Sequence, residues 1–205
     1  MSHEQESGAI MCDPNHLFVQ EMHWGEQPVR LTGFTCAQLP TDAPTTSVHV
    51  IALSGGKVLV VRDRRGIFGF PGGRLEAGET HEIALTREVY EEARAHLREG
   101  FRLFAALKVE YTAQLPGRNY PHPFTYMGVY TGLVRSLEPI GHDPAGVITG
   151  RDLFTRMVCE QRLPAHDLIL LREATQFIIQ KRLASPQTTG DFLSLLDLKL
   201  EEKHE

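Results

Sequence analysis

One stretch constrains this chain more than any other: residues 72–95, GGRLEAGETHEIALTREVYEEARA, a glycine-rich turn that runs straight into a helix with an acidic face. Glu88, Glu91 and Glu92 stand at i, i+3 and i+4, so a helix of about 3.6 residues per turn brings them onto one side. No lysine is spaced to answer them. At an effective dielectric of about 20, two like charges about 4 Å apart repel by roughly 4 kcal/mol, so the cluster calls for a cation. A hard ion bound by oxygen, Mg²⁺ or Mn²⁺, suits such a donor set. The alternative is solvated surface charge, with Glu91 and Arg94 paired at i, i+3. Thr80 is placed to cap the helix and Glu82 to complement its dipole. Leu85, Val89 and Ala93 form an apolar stripe, which Ile83 and Tyr90 widen.

The remainder of the chain limits what such a site can serve. A length of 205 residues suits one domain with extensions, and 41% hydrophobic with 23% charged content is ordinary for a soluble globular protein. A net charge of −5 argues against a general nucleic-acid binder, leaving a small-molecule partner. Cys12, Cys36 and Cys159 are odd in number and scattered, which indicates neither a zinc knuckle nor a disulfide framework and fits a reducing compartment. The polar, acidic start MSHEQESGAI lacks the apolar run of a secretory signal, and no stretch reaches the ~20 apolar residues of a membrane span. A cytoplasmic protein with no membrane partner is expected.

Taken in order, residues 1–45 read as an N-terminal extension: a loose tail, then a possible strand at 29–35. This arm either packs on the core, or crosses to a second subunit or helps cover the active site, so a homodimer stays open. Residues 46–160 are expected to form the core. Within it, SVHVIAL (47–53) and KVLVVR (57–62) flank Ser54-Gly55-Gly56 as a hairpin. The arginines that follow, including Arg62 and Arg64, either form a solvated turn or grip substrate phosphates in bidentate fashion. Strands are expected at 101–111 and 125–134, joined by a Pro-rich loop. Its residues Arg118, Tyr120, His122 and Phe124 either pack on the surface or contact a base or sugar. His81 and His142 are weak signals of the same kind. Residues 139–152 read as loop, 153–161 as a short helix and 166–183 as a longer one, with Leu168, Leu171, Ala174, Thr175, Ile178 and Ile179 on one side. With an amphipathic tail at 191–205, residues 161–205 make a C-terminal helical extension.

Taken together, Gly73, Glu79 and the run from Arg87 through Glu88, Glu91 and Glu92 to Ala95 resemble the Nudix box, G-x5-E-x7-R-E-U-x-E-E-x-G-U. The box glycine is Arg94 here and the closing aliphatic position is the small Ala95. Phe70-Pro71-Gly72 ahead of the box also fits the family. The resemblance implies an α/β/α sandwich with a mixed central sheet. It further implies hydrolysis of a nucleoside diphosphate linked to another moiety. By position it makes Glu88, Glu91 and Glu92 metal-binding glutamates, brings the Gly73 backbone to the metal, and makes Glu79 and Arg87 a buried pair steadying loop against helix. Arg74 is the phosphate-contact candidate within the box. Glu88, Glu138 and Asp143 are the candidates for the base that activates water. Arginine at the glycine position would cost on the order of 1 kcal/mol if left-handed, so the helix is expected to run on to Gly100. All acidic positions are retained, so a working site is expected.

Beyond the box, the position associated in this family with ADP-ribose hydrolases carries Glu110 instead of proline. Tyr111, one residue on, matches a tyrosine associated with dinucleoside polyphosphate hydrolases. Nucleoside triphosphates, ordinary or damaged, are the favoured broad class, with dinucleoside polyphosphates and nucleotide sugars as alternatives. A non-catalytic nucleotide-sensing module is the competing function.

Overall fold

The computed structural model describes residues 16–113, 123–181 and 195–196. Its strands are β1 (Phe18–Trp24), β2 (Gln27–Thr35), β3 (Thr45–Ser54), β4 (Lys57–Asp63), β5 (Phe68–Gly69), β6 (Gly72–Arg74), β7 (Ala95–Leu97), β8 (Arg102–Tyr111), β9 (Phe124–Leu137) and β10 (Ile148–Phe154). The helices are α1 (His81–Ala93), α2 (Arg156–Arg162) and α3 (Ala165–Gln180). The sheet runs β1-β2-β8-β9-β3-β4-β10, with β5 on β4, β6 on β3 and β7 on β9. Among the described strands only β3 and β9 pair in parallel, Val48 opposite Gly128 and Leu53 opposite Leu133, so the sheet is mixed.

Side chains alternate across a strand, and both faces of this sheet are covered. Val48, Val50 and Ala52 of β3, with Leu59 and Val61 of β4, face Ala84, Leu85, Val89 and Ala93 of α1. Ile51, Leu53, Val58 and Val60 point the other way, into a core closed by Cys159 of α2 and Leu168, Leu171, Ala174 and Ile178 of α3. The result is the expected α/β/α sandwich, with α1 on one face and α2 and α3 on the other.

The β3–β4 hairpin forms as its sequence predicts. Ser54 pairs with Lys57 across Gly55 and Gly56, whose φ values of +52° and +71° give a two-residue turn matching the strand twist. The arm from Leu17 packs on its own core: β2 pairs with β8 from Val29–Tyr111 to Thr35–Ala105, and Leu17, Phe18 and Met22 touch the α3-side cluster. α3 is likewise integral to that core, so residues read as extensions complete the same sheet and sandwich.

Four expectations are corrected. β1 was not legible in residues 18–24. The stretch 139–152, read as loop, contains most of β10, which pairs antiparallel with β4 through a bulge at Ile148/Gly150. Ile83, assigned to the apolar stripe of α1, is 55% exposed, and Ala84 is buried in its place. Finally, α1 does not continue to Gly100: it stops at Ala93, and Arg94 takes the left-handed conformation at φ 46°, ψ 43°. The amphipathic tail expected at 191–205 lies outside the described residues apart from Leu195 and Leu196, of which Leu195 is buried in the α3-side core.

Candidate active site

The site is built on α1. Thr80 accepts from the Ile83 N–H at 3.3 Å and starts the helix, and the buried stripe of Ala84, Leu85, Val89 and Ala93 fixes its rotation against the sheet. Glu88, Glu91 and Glu92 are thereby turned away from the α1 core.

The Gly73–Glu79 turn is tied to this helix by Arg87. Its Nε and Nη2 donate to the two oxygens of Glu79, each at 2.8 Å, and Nη2 also donates to the Arg74 carbonyl at 3.0 Å. The Arg87 guanidinium holds the Glu79 carboxyl down at about 2, helped by the Glu76 N–H, and Glu79 in turn raises Arg87. Both side chains are partly exposed, at 22% for Arg87 and 13% for Glu79, so the pair is shielded more than buried.

Arg87 also reaches the acidic face. Nη1 donates to Glu88 at 2.9 Å and, more weakly, to Glu91 at 3.4 Å. The Glu91–Arg94 pair suggested by spacing is replaced by this contact, since Arg94 turns to the His142 carbonyl at 2.8 Å and stacks over Tyr90 at 4.7 Å. Glu92 accepts from the Gly72 N–H at 2.9 Å. Burial pushes the Glu92 carboxyl up to about 8, and the charges of Glu88, Asp143 and Glu91 add to the push. Burial also raises Glu88, against the pull of Arg87. An acidic residue that must be protonated to sit comfortably near neutral pH is in a place better suited to a cation.

Gly73 fits that assignment. A Cβ there would stand 2.5 Å from the Glu88 carboxyl carbon, so only a bare Cα lets the turn and the carboxylate share this space. The carboxylates of Glu88, Glu91 and Glu92 and the backbone of Gly73 offer hard oxygen donors, the chemistry that Mg²⁺ and Mn²⁺ prefer. Among the described residues no three His, Cys, Asp or Glu side chains enclose a metal position as they stand. Arg87 draws Glu88 and Glu91 one way while Gly72 holds Glu92, so a bound ion would compete with these contacts.

The other expected residues divide. Arg74 is exposed at the end of β6 beside the turn. Arg64 lies along the 143–148 loop, its N–H bonded to the Val147 carbonyl at 3.1 Å and its Nη2 2.7 Å from where a Cβ on Gly146 would stand. Arg62 is exposed on β4 against Gly150. Tyr111 goes elsewhere: it is buried in the α3-side core, with its hydroxyl 3.3 Å from Thr125 Oγ1, on the sheet face opposite α1. Glu138 is engaged by His96 at 2.7 Å and Tyr90 at 3.2 Å. Asp143 is brought towards Glu88 and Glu92, and it is buried with its oxygens accepting from Ala145, Val147 and Ile148 N–H. Arg118, Tyr120 and His122 lie outside the described residues. Phe124 meets Tyr126 edge to face at 5.8 Å and lies under Lys108. His81 opens α1.

Two features escaped the sequence. A cleft of about 200 Å³ opens beside Glu92, walled by Val61, Phe68, Phe70, Gly72 and Ile148. Arg151, from β10, donates to the carbonyls of Ala93 and Arg94 at the end of α1, the latter at 3.0 Å, and to Glu138 O at 2.6 Å. Both depend on β10, whose pairing with a distant strand leaves no local signal. No helix among the described residues is long and apolar enough to cross a membrane.

A model of the NUDIX domain matches residues 43–147. No curated protein matches the chain. Among solved structures, the NUDIX domain of Shewanella oneidensis NrtR, complexed with ADP ribose, superposes with a TM-score of 0.51 at 17% identity, covering 70% of this chain and 91% of that one. A Bacillus subtilis pyrophosphohydrolase matches at 25% identity and TM-score 0.48, covering 60% of this chain and 72% of its own. A MutT NUDIX hydrolase from Burkholderia pseudomallei matches at 21% identity and TM-score 0.40, with coverages of 60% and 88%. The NrtR domain shares the fold described above.

Proposed function

This chain belongs to the NUDIX family and is a pyrophosphohydrolase, and we propose that it cleaves a nucleoside triphosphate or a related nucleotide with the help of Mg²⁺ or Mn²⁺. The observation that carries this reading is the gathering of Glu88, Glu91 and Glu92 on one face of a packed helix, with Gly73 set against Glu88 and Glu92 forced upward to about 8.

A diphosphate linkage repels nucleophiles because its oxygens are anionic. Divalent ions held by these carboxylates would neutralise phosphate oxygens and supply a deprotonated water at neutral pH. The chain's own residues do the rest. Glu88, Glu91, Glu92 and the Gly73 backbone would hold the ion, and Arg87 with Glu79 keeps turn and helix in register. We assign to Glu88, engaged by a single side-chain donor, Arg87, the role of taking the proton from the attacking water, because Glu138 is engaged by both His96 and Tyr90 and Asp143 by three backbone N–H groups. Arg74 and Arg64, both exposed, are the arginines that would bind phosphates, with Arg62 on β4. The aromatic wall of Phe68 and Phe70 beside Glu92 suits a planar base. Burial of Tyr111 in the α3-side core weighs against the dinucleoside polyphosphate alternative.

The test is a panel of nucleoside triphosphates, nucleotide sugars and dinucleoside polyphosphates incubated with Mg²⁺ or Mn²⁺, with products resolved by chromatography. Hydrolysis of triphosphates ahead of the other classes, lost in Glu92→Gln, is the expected result. No hydrolysis by the wild type, or equal hydrolysis by the variant, overturns the reading. Preference for an ADP-ribose-type sugar or a dinucleoside polyphosphate would reassign the substrate and leave the chemistry standing.

A further inference from the structure

Arg94 is the one non-glycine residue with positive φ among the described residues, and it sits where the family motif has glycine. Such a conformation is costly for a residue with a Cβ and persists only where its surroundings hold it. The surroundings here are specific. The Arg94 N–H caps the Tyr90 carbonyl at 3.0 Å, and its own carbonyl accepts from Glu138 N–H at 2.9 Å and from Arg151 at 3.0 Å. The guanidinium lies 4.7 Å over the Tyr90 ring and donates to His142 O at 2.8 Å. It runs so close over Gly141 that a Cβ there would stand 2.5 Å from Arg94 Nε. A glycine at position 94 would end the helix more easily and would make none of the side-chain contacts.

Those contacts lead to the acidic centre. His142 immediately precedes Asp143, whose carboxylate accepts from Ala145 at 3.1 Å, Val147 at 2.7 Å and Ile148 at 2.8 Å and so shapes the whole 143–148 loop. Asp143 lies near enough to Glu88 and Glu92 for its charge to act on both. Ile148 is a wall of the cleft beside Glu92, and Val147 O anchors the backbone of Arg64. We infer that Arg94 is a positioning residue: it clamps the 138–143 segment to the end of α1 and so sets the Asp143 loop and the cleft wall against the catalytic glutamates. The inference rests on the hydrolase reading for its effect on turnover, and on geometry alone for its effect on the loop.

Arg94→Gly and Gly141→Ala separate this role from simple helix termination, because the first relieves backbone strain while removing the clamp and the second displaces the clamp without touching α1. Amide hydrogen exchange on the metal-free protein should show Val147 and Ile148 exchanging about tenfold faster or more in both variants, with Leu85 and Val89 unchanged. On the best substrate of the panel, kcat should fall about 10- to 100-fold while KM moves by less than about threefold. The double variant should be little worse than Arg94→Gly alone, because both changes break one contact. Arg94→Lys, which keeps a cation over Tyr90 and a donor for His142, should recover part of the loss. Unchanged loop exchange in both single variants overturns the inference, as does faster exchange with kcat intact. If the wild type hydrolyses nothing, the hydrolase reading fails separately, and the exchange data alone decide whether Arg94 holds the loop.

Discussion

Both carboxylate oxygens of Glu79 accept from one guanidinium, that of Arg87, at 2.8 Å each, and the same guanidinium reaches Glu88 at 2.9 Å. A planar fork with five donors can hold the turn, the Arg74 carbonyl and the acidic face at once, whereas an ammonium cannot. Arg87→Lys should therefore keep the charge and lose the register between the Gly73 turn and α1. The expected outcome is a fall in kcat of about 10- to 100-fold with helix content preserved by circular dichroism. Full activity in the lysine variant would show that charge alone suffices.

The same pair gives stability a pH dependence in acid. Glu79 is held at about 2 in the folded chain against an ordinary value of 4.5. Its folded value is depressed, so its contribution is complete above about pH 4.5 and is lost as pH falls towards about 2. Urea midpoints should show wild type more stable than Glu79→Gln at pH 6, with the difference shrinking steadily through that acid window. A constant difference across it would place the stabilisation outside this carboxylate.

Gly73→Ala is the sharpest test of close approach. The new methyl would meet the Glu88 carboxyl group at 2.5 Å, and Glu88 can escape only by swinging off Arg87 or off the metal-facing side. Because that escape moves one side chain and leaves the buried stripe of α1 intact, stability should change by less than about 1 kcal/mol. Activity should drop by about 100-fold or more if Glu88 holds the ion as proposed. Thermal melts and initial rates on the same preparation check both halves.

How much of this was legible in the sequence follows from what is local. The acidic face, the stripe of Leu85, Val89 and Ala93 and the Gly55-Gly56 hairpin are set by residues within a few positions of one another, and period and turn chemistry expose them. β10 was not legible because Gly150 interrupts its apolar alternation and its partner, β4, is far away in the chain. With it went Arg151 and the cleft wall at Ile148. Arg94 misled for the opposite reason: local cost argued for a longer helix, and tertiary contacts from Glu138, His142 and Arg151 overruled it. Tyr111 shows the limit of a single-residue signal, since a strand position between core neighbours accommodates tyrosine without any ligand.

Glu92 is the residue at which stability and function should trade. Its carboxyl is raised to about 8 by burial and by neighbouring carboxylates, above its ordinary 4.5. A carboxyl with a raised folded value destabilises progressively as pH climbs from about 4.5 towards about 8 in the absence of metal, because the folded chain must then carry a buried charge. Glu92→Gln removes that penalty while keeping an acceptor for the Gly72 N–H. With chelator present, the variant should match wild type near pH 5 and exceed it by on the order of 1–2 kcal/mol at pH 8. Added Mg²⁺ or Mn²⁺ should reverse the order, raising the wild-type melting temperature and barely moving that of the variant, since a ligand that binds only the folded state stabilises it by mass action. Binding should also release protons from wild type near neutral pH, because the ion needs the carboxylate and the free site holds the acid. Calorimetry in buffers of different ionisation enthalpy measures that release, and metal binding with no proton release in wild type would remove Glu92 from the ligand set.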